Sequence, residues 1–102
     1  MEVKITKTGD SITAKVIGAV TENDGVNLKH AFDELIRSEG ATVTIDLSLV
    51  PIITSTGIGK LIVLYRKLKQ EQRELVIRGI HDNLYSMFTS INLHKMLTIH
   101  RS

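Results

Sequence analysis

Hydrophobic and polar residues alternate along the N-terminal part of the chain. The runs 3–5 and 12–16 place an apolar residue at every second position, and Gly9-Asp10 lies between them. Because glycine readily adopts the positive φ of a tight turn, this pattern predicts a β-hairpin in which each strand keeps one face in water. Gly18 is predicted to end the second strand.

The hydrophobic period becomes helical after the hairpin. Apolar residues between 28 and 36 recur at positions i, i+3, i+4, i+7 and i+8, and residues 21–24 offer several N-capping side chains. This pattern predicts an amphipathic surface helix. Gly40 is predicted to be its C′ residue, a position that often needs a left-handed backbone.

Strand and helix patterns alternate along the rest of the chain. The β-branched run 42–47 follows a helix without a hairpin turn, so it is predicted to pair in parallel with an earlier strand. The elements predicted after it are a helix from about Thr56 to Gln72, a strand at 75–77 closed by Gly79, a third helix from near Asp82 with apolar residues at 84, 87, 88 and 91, and a short last strand at 97–99.

This order predicts the fold class. It indicates one α/β domain over residues 1–102, with a mixed, mostly parallel β-sheet of four to five strands and three or more α-helices packed on it. Short connections bring the loops after parallel strands to one edge of the sheet. We therefore expect residues 18–25 and 54–59 to form a common rim, at the edge where open α/β sheets usually bind ligands and partners.

The second predicted helix has two unusual features. Val63 and Leu64 widen its apolar face, which indicates either deep packing against the sheet or a partner surface, and deep packing is favoured. Gly57 and Gly59 both fall in its opening turn, although each glycine costs about 1 kcal/mol relative to alanine inside a helix. Their presence indicates close packing or the close approach of a partner.

Composition narrows the class of protein. The chain has 102 residues, of which 42% are hydrophobic and 24% are charged, with a formal net charge of +2. This balance is typical of a globular protein. The sequence contains no apolar run of about 18 residues, so no membrane-spanning helix is predicted. The absence of cysteine excludes disulfides and thiolate metal sites, and a cytoplasmic location is the default expectation.

The basic residues do not indicate nucleic acid as a partner. The densest set consists of Lys60, Arg66, Lys67, Lys69 and Arg73. Glu71 and Glu74 interrupt this set, and the net charge is too small to imply nucleic-acid binding by itself. A solvated helix face is therefore the favoured interpretation.

Catalytic interpretations find little support in the sequence. The histidines are not spaced for metal binding and no thiol or acid cluster accompanies them, so they are interpreted as surface or hydrogen-bonded residues. They are His30, His81, His94 and His100. Gly57-Ile58-Gly59 lacks the rest of a phosphate-binding loop, and Ser55 has glycine on only one side, unlike a hydrolase nucleophile. We predict no enzyme activity, no cofactor and no metal site.

Three consecutive hydroxyl residues, Thr54, Ser55 and Thr56, stand where the second helix must begin. In one interpretation Thr54 or Ser55 is a side-chain N-cap, which contributes about 1 kcal/mol. In the other, Ser55 or Thr56 is phosphorylated, because a helix N-terminus tolerates negative charge while an acidic or apolar partner does not. On these residues alone the cap is favoured.

The same segment resembles the STAS domain of bacterial anti-sigma-factor antagonists. The usual signature of that family is Asp-Ser-Ser/Thr-Gly-Leu/Ile-Gly, preceded by a strand that ends in Asp-Leu/Phe-Ser-x-Val. Residues 46–50 match the strand ending and residues 55–59 match the signature, with further similarity at Gly18 and at 91–99. The resemblance covers nearly the whole chain and agrees with the predicted order of elements.

The resemblance implies a phosphorylation-controlled switch between binding partners. It places the phosphorylated serine at Ser55, with Thr54 and Thr56 as fallback acceptors, and Thr54 stands where the family usually has aspartate. The implied partners are an anti-sigma factor that is also a serine kinase of the histidine-kinase-like ATPase type, and a PPM-type serine phosphatase. The predicted partner-binding residues are Gly18, Thr21, Asn23, Thr54, Ser55, Thr56, Gly57, Ile58, Gly59 and Lys60.

Other functions stay open at this point. The main alternative is a STAS binding subunit without a phosphorylation cycle, such as a regulator of a lipid-transport ATPase or part of a signalling scaffold. Its hydroxyl cluster would make fixed hydrogen bonds to the partner. A nucleotide-binding enzyme is not expected, and a weak homodimer through an exposed part of the sheet or the first helix is left open.

Overall fold

A computed structural model describes residues 1–101 as one α/β domain. Its elements are, in chain order, β1 (Glu2–Thr8), β2 (Ser11–Ile17), the 3-10 turn Glu22–Asp24, α1 (Gly25–Arg37), β3 (Thr42–Leu49), α2 (Ser55–Gln70), β4 (Glu74–Ile80), α3 (Asp82–Ser90), the 3-10 turn Leu93–Lys95 and β5 (Thr98–Arg101). The predicted alternation of strands and helices is confirmed.

The five strands form one mixed sheet in the order β1-β2-β3-β4-β5. β1 and β2 are antiparallel across the turn at Gly9, where φ is 60°, and the other neighbours are parallel, as predicted for β3. Each crossover moves one strand in the same direction. Right-handed crossovers then place α1, α2 and α3 on the same face of the sheet.

The two faces of the sheet differ in chemistry because side chains alternate along each strand. The face under the helices is apolar, and residues such as Val16, Ile45 and Ile77 are at most 1% exposed. The opposite face is polar, and Lys15, Asp46 and Arg78 are neighbours in the register of three adjacent strands. Burial of apolar area on one side of the sheet therefore supplies the main driving force for folding.

Each helix packs against the apolar face of the sheet through one stripe of buried residues. The buried residues of α2 are Gly57, Ile58, Leu61, Leu64 and Leu68. The prediction of deep packing is thus confirmed for Leu64, whereas Val63 lies 48% exposed and is not part of the core. None of the helices within residues 1–101 has the length and apolar character needed to cross a membrane.

Four helix boundaries differ from the predictions. α1 ends at Arg37 with Ser38 as its C-cap, so Gly40 is not the C′ residue; Ser38 is extended and its hydroxyl donates to the carbonyl of Glu34 at 2.8 Å. α2 begins one residue earlier than predicted and ends at Gln70. Ile91, predicted as an apolar residue of the third helix, follows α3 and is 50% exposed.

Gly79 does not close β4 but lies within it. Its φ is 76°, and the register between β4 and β5 shifts between Arg78 and Ile80, which marks a β-bulge. A Cβ atom at Gly79 would lie 2.9 Å from the Cβ of Ser48 on β3. Glycine is required here by both the left-handed backbone and the close neighbour, so the strand can continue past it.

Arg73 ties the end of α1 to the start of β4. Its guanidinium donates to the carbonyl oxygens of Gly40 at 2.7 Å, Ile36 at 3.0 Å and Leu35 at 3.2 Å. The side chain is 11% exposed and also pairs with Glu71. A cation thus satisfies the carbonyls that the end of α1 leaves unpaired and matches the negative end of the helix dipole.

We expect Arg73→Leu to lower the free energy of unfolding by about 2–3 kcal/mol, since charge-assisted hydrogen bonds to three carbonyls are lost. Urea denaturation measures this difference. The control is Arg66→Leu, at an exposed position of α2, for which we expect less than about 0.5 kcal/mol. Equal effects of the two substitutions would show that Arg73 does not cap α1.

Candidate functional site

The rim is held together by backbone hydrogen bonds between the segments that follow β2 and β3. The N–H of Gly18 donates to Leu49 at 3.0 Å, the N–H of Val20 donates to Ile52 at 2.9 Å, and the N–H of Thr54 donates to Val20 at 2.9 Å. Val20 and Ile53 form a parallel bridge at the centre of this contact. The predicted meeting of residues 18–25 with residues 54–59 is confirmed.

A capping box stabilises the first half of the rim. The N–H of Thr21 donates to Oδ2 of Asp24 at 2.7 Å, and the N–H of Asn23 donates to Oγ1 of Thr21 at 3.3 Å. The hydrogen bond from the Thr21 N–H holds the pKa of the Asp24 carboxyl below its usual value. Thr21 is therefore engaged within its own loop, whereas Asn23 is exposed to solvent.

The three hydroxyl residues have different environments. Ser55 is exposed and is the first residue of α2. Thr56 is half-buried, and its Cγ2 lies 3.3 Å from the position of a Cβ on Gly25. Oγ1 of Thr54 is buried and has no hydrogen-bond partner among residues 1–101. Ser55 is thus the hydroxyl of the three that solvent reaches freely.

The interpretation of Thr54 as a side-chain cap is wrong. Thr54 is the N-cap residue of α2 by its backbone conformation, but its side chain accepts no capping hydrogen bond. The predicted side-chain cap by Thr54 or Ser55 is absent, because Ser55 already lies inside the helix. The role of Thr54 as a fallback acceptor stays a prediction, and its Oγ1 is buried in this conformation.

The N-terminus of α2 carries an uncompensated positive end of the helix dipole. Its first turn contains no acidic residue, and the first helical hydrogen bond runs from the N–H of Ile58 to the carbonyl of Thr54 at 3.0 Å. The N–H groups before Ile58 have no partner within the helix. A negative group added at Ser55 would be stabilised by this end of the helix.

The two glycines of the opening turn serve different purposes. A Cβ on Gly57 would lie 2.7 Å from Cγ1 of Ile53 and 2.8 Å from Cγ1 of Val20, so this glycine lets α2 seat against the rim. This confirms close packing, although the neighbours are side chains. A Cβ on Gly59 would have nothing within 4 Å, so packing within residues 1–101 does not explain this glycine.

Exposed apolar residues lie in the segments that adjoin the rim along the chain, and the sequence patterns did not single them out. Ile52 is 53% exposed and Leu49 is 50% exposed in the segment before α2, while Val26 is 68% exposed at the start of α1. Leu49 ends β3, Ile52 follows that strand, and Val26 lies in the first turn of α1. These apolar residues fall outside the strand and helix periods, and this departure is the sequence signal that could have identified them. Lys60 is half-buried beside Val63 in the shallow groove between α1 and α2.

His81 forms hydrogen bonds to the segment before α2, on the side opposite to Val20. Its Nδ1 accepts the N–H of Leu84 at 3.4 Å, which caps α3. Its Nε2 therefore carries the proton and donates to the carbonyls of Val50 at 3.2 Å and Pro51 at 3.3 Å. His81 confirms the interpretation of a hydrogen-bonded histidine, and the remaining three, His30, His94 and His100, are exposed.

Asp46 fixes the end of β3. Its Oδ1 accepts the N–H of Ser48 at 2.9 Å and its Oδ2 accepts from Arg78 at 3.2 Å. Burial alone would raise the pKa of Asp46, but the Ser48 and Arg78 contacts outweigh it and hold the pKa below its ordinary value of 3.8. The carboxylate thus stabilises the strand that leads into the rim.

This geometry defines an α/β domain with an exposed serine at the N-terminus of a helix, at the edge where open α/β sheets usually bind ligands. Comparison with known sequences assigns the domain to a family. The family model described as "Mlab, STAS domain" matches residues 3–98. The chain belongs to the STAS domain family.

A curated relative and several solved structures are similar to the chain. The anti-sigma-B factor antagonist of Listeria monocytogenes is 31% identical over 90 residues, which cover 88% of this chain and 79% of the relative. An anti-sigma factor antagonist from Mycobacterium paratuberculosis is similar in structure, with a TM-score of 0.85 at 20% identity, covering 99% of this chain and 86% of that one.

The Bacillus protein SpoIIAA has the same fold in two chemical states. Its unphosphorylated form gives a TM-score of 0.77 at 9% identity, covering 99% of this chain and 89% of that one. Its phosphorylated form gives a TM-score of 0.75 at 11% identity, covering 99% of this chain and 93% of that one. At these identities the likeness shows the fold alone.

We expect opposite effects of a methyl group at the two glycines. Gly57→Ala should lower the free energy of unfolding by about 1–3 kcal/mol, because Ile53 and Val20 are buried and cannot move away. Gly59→Ala should raise it by about 0.5–1 kcal/mol, since alanine is the better helix former. Urea denaturation of both variants checks this, and the same sign for both would contradict the packing described for Gly57.

We expect Asp46→Asn to lower the free energy of unfolding by about 1–2 kcal/mol at neutral pH. Because the pKa of Asp46 is depressed, its contribution is fully present above pH 3.8 and is lost as the pH falls through the lower folded-state value. The difference from the native chain should therefore shrink as the pH falls below 3.8, in urea denaturation at a series of pH values. Glu39→Gln, at an exposed position, is the control, and a pH-independent difference for Asp46→Asn would be contrary to this.

Proposed function

We propose that the chain acts as an anti-sigma-factor antagonist that binds an anti-sigma factor and is released by phosphorylation of Ser55. The observation that carries the proposal is the exposed Ser55 hydroxyl at the uncompensated N-terminus of α2. The Listeria relative, whose name states that it antagonises anti-sigma-B factor, supports the choice of partner. The partner is further proposed to be a serine kinase of the histidine-kinase-like ATPase type, and a PPM-type phosphatase resets the cycle.

The surroundings of Ser55 favour docking of a protein. Ile52 and Leu49 are each at least 50% exposed in the segment that precedes α2, where a docked partner would cover them. Gly59 stands one helical turn after Ser55 and leaves open space above the backbone. A partner backbone could approach α2 closely at this point, which gives the destabilising glycine a function.

A phosphoryl group on Ser55 would preserve the fold and disrupt the docking surface. It adds a charge of about −1.5 to −2. The free N–H groups and the dipole of α2 stabilise this charge in the unbound protein. Thr54, in the position of the usual aspartate, places no carboxylate next to the phosphoryl group. In a complex, the same charge would be desolvated against Ile52 and Leu49, which is unfavourable.

The structures of SpoIIAA support the first half of this argument. That protein has been solved in unphosphorylated and phosphorylated forms, and both resemble the present fold. A phosphoryl group is therefore compatible with this architecture. The alternative for the same surface is the static binding subunit, in which a kinase would not modify Ser55.

We expect the histidine-kinase-like ATPase encoded nearest to this chain in its source genome to transfer one phosphoryl group to Ser55 in the presence of MgATP. Intact-mass spectrometry should show one added phosphoryl group on the native chain and none on Ser55→Ala. Ser86→Ala, at an exposed serine of α3, is the matched control and should be modified like the native chain. Modification of Ser55→Ala to the native extent would move the site elsewhere, and binding without modification would favour the static subunit.

We expect Ser55→Asp to weaken binding to the same ATPase by about 10- to 100-fold, the size of a lost interface hot spot. Titration calorimetry measures the affinity, and circular dichroism should show an unchanged fold. Ser86→Asp is the control for added charge on a different helix. Native affinity of Ser55→Asp would contradict release by phosphorylation.

A further inference from the structure

We infer that the partner presents an acidic surface to α2, and that attraction between this surface and the basic residues of α2 drives docking. The inference rests on the proposed function, because it assigns the chemistry of the same partner. It concerns the outer face of α2 beyond the rim, which the phosphorylation site does not include.

The charge of α2 is of one sign. Its 16 residues include Lys60, Arg66, Lys67 and Lys69 and no acidic residue. The last three are exposed and Lys60 is half-buried. None of the four is in a salt bridge among those found within residues 1–101, although the Lys69 amine lies 3.3 Å from the hydroxyl of Tyr65.

The helix dipole does not account for all four cations. Lys67 and Lys69 lie in the last turn, where a positive charge is stabilised by the negative end of the dipole. Lys60 lies in the second turn, where the helix dipole does not stabilise a cation. Arg66 directly precedes Lys67, and the helix dipole is not needed to explain why its side chain is exposed. The positive charge is therefore spread along the solvent-exposed face of α2 and is not confined to one end of the helix.

The neighbouring helix does not neutralise this face. Asp33 of α1 is the acidic residue that shares the groove between α1 and α2 with Lys60 and Lys67. It is already paired with Lys29 at 2.7 Å. The hydrogen bond from Lys29 is the main cause that holds the pKa of Asp33 below its usual value, and Lys67 adds to it. The positive charge of α2 is left available to a partner.

The basic residues share their face with Ser55 and with an exposed apolar side chain. Helical spacing places Ser55, Gly59, Val63 and Arg66 along one side of α2, with Lys67 next to Arg66. Val63 is 48% exposed in the middle of this row. An acidic segment with an apolar side chain over Val63 is complementary to the row in both charge and hydrophobicity.

An acidic partner also gives the phosphoryl group a second way to act. The rise of 1.5 Å per residue places Lys60 about 8 Å and Arg66 about 16 Å from Ser55 along the helix axis. The Debye length at physiological salt is about 8 Å, so a phosphoryl group reduces the attraction mainly over the first two turns. There it would also repel the carboxylates of the partner, and the basic residues farther along α2 would keep their charge.

The test is the binding kinetics of the double variant R66E/K67E with the histidine-kinase-like ATPase encoded nearest to this chain. Both residues are exposed, so the fold should be retained, and circular dichroism checks this. We expect the association rate to fall by about tenfold or more at low ionic strength and the difference to diminish in high salt, because steering by charge is screened. The milder variant R66Q/K67Q should give an intermediate rate.

The matched control is K7E/K95E, which changes the net charge equally. Lys7 lies at the hairpin end of β1 and Lys95 in the last 3-10 turn, and both are exposed and outside α2. Equal loss of rate in R66E/K67E and K7E/K95E, or no loss in either, overturns the acidic docking surface while native binding upholds the proposed function. Failure of the native chain to bind the ATPase contradicts the proposed function and this inference with it.

Discussion

The structure depends on the parallel contact between the segments that follow β2 and β3. Backbone bonds at Gly18, Val20 and Thr54 extend the pairing of these strands beyond their regular ends. They fix the direction in which the chain enters α2, and Gly57 then allows the first turn to pack on Val20 and Ile53. Because Gly57 faces inward, helical geometry turns Ser55 toward solvent. The accessibility of the serine is thus a consequence of main-chain pairing and one missing Cβ.

The surroundings of Ser55 favour an anionic group in the free protein and disfavour the same group in a complex. In the free protein, the first N–H groups of α2 have no partner within the helix and its first turn has no acidic residue, so this end favours an anion. In a complex, the exposed apolar residues Ile52 and Leu49 would be covered, and an anion trapped against them would lose its hydration. The same group can therefore be tolerated by the fold and rejected by an interface.

Local pattern was sufficient to predict the sheet, the helices and the rim. The alternation on either side of Gly9-Asp10 specifies the hairpin, and the helical periods specify α1 and α2, because one face of each element must be buried. The resemblance then singled out Ser55, among the rim residues, as the predicted phosphorylation site. These features depend on residues close together in the sequence or on a short motif, so tertiary packing changes them little.

Features that depend on tertiary neighbours could not be predicted. Gly57 and Gly59 look equivalent in the sequence, yet only Gly57 has Val20 and Ile53 beside it. Thr54 has the ideal residue type for an N-cap, but its hydroxyl is buried without a partner in the part of the chain that the structure describes. The bulge at Gly79 similarly depends on the close approach of β3. Each of these outcomes is decided by residues distant in sequence.

His81 shows that the rim is organised before a partner arrives. The segment between β3 and α2 is bonded to Val20 on one side and to the imidazole of His81 on the other. His81 itself caps α3, so the segment is attached to a second helix and cannot move independently of it. A surface held in this way loses little conformational entropy on docking, which favours affinity. In the proposed switch, phosphorylation of Ser55 would have no loop to reorder, and its effect on binding would come from charge and desolvation at the surface.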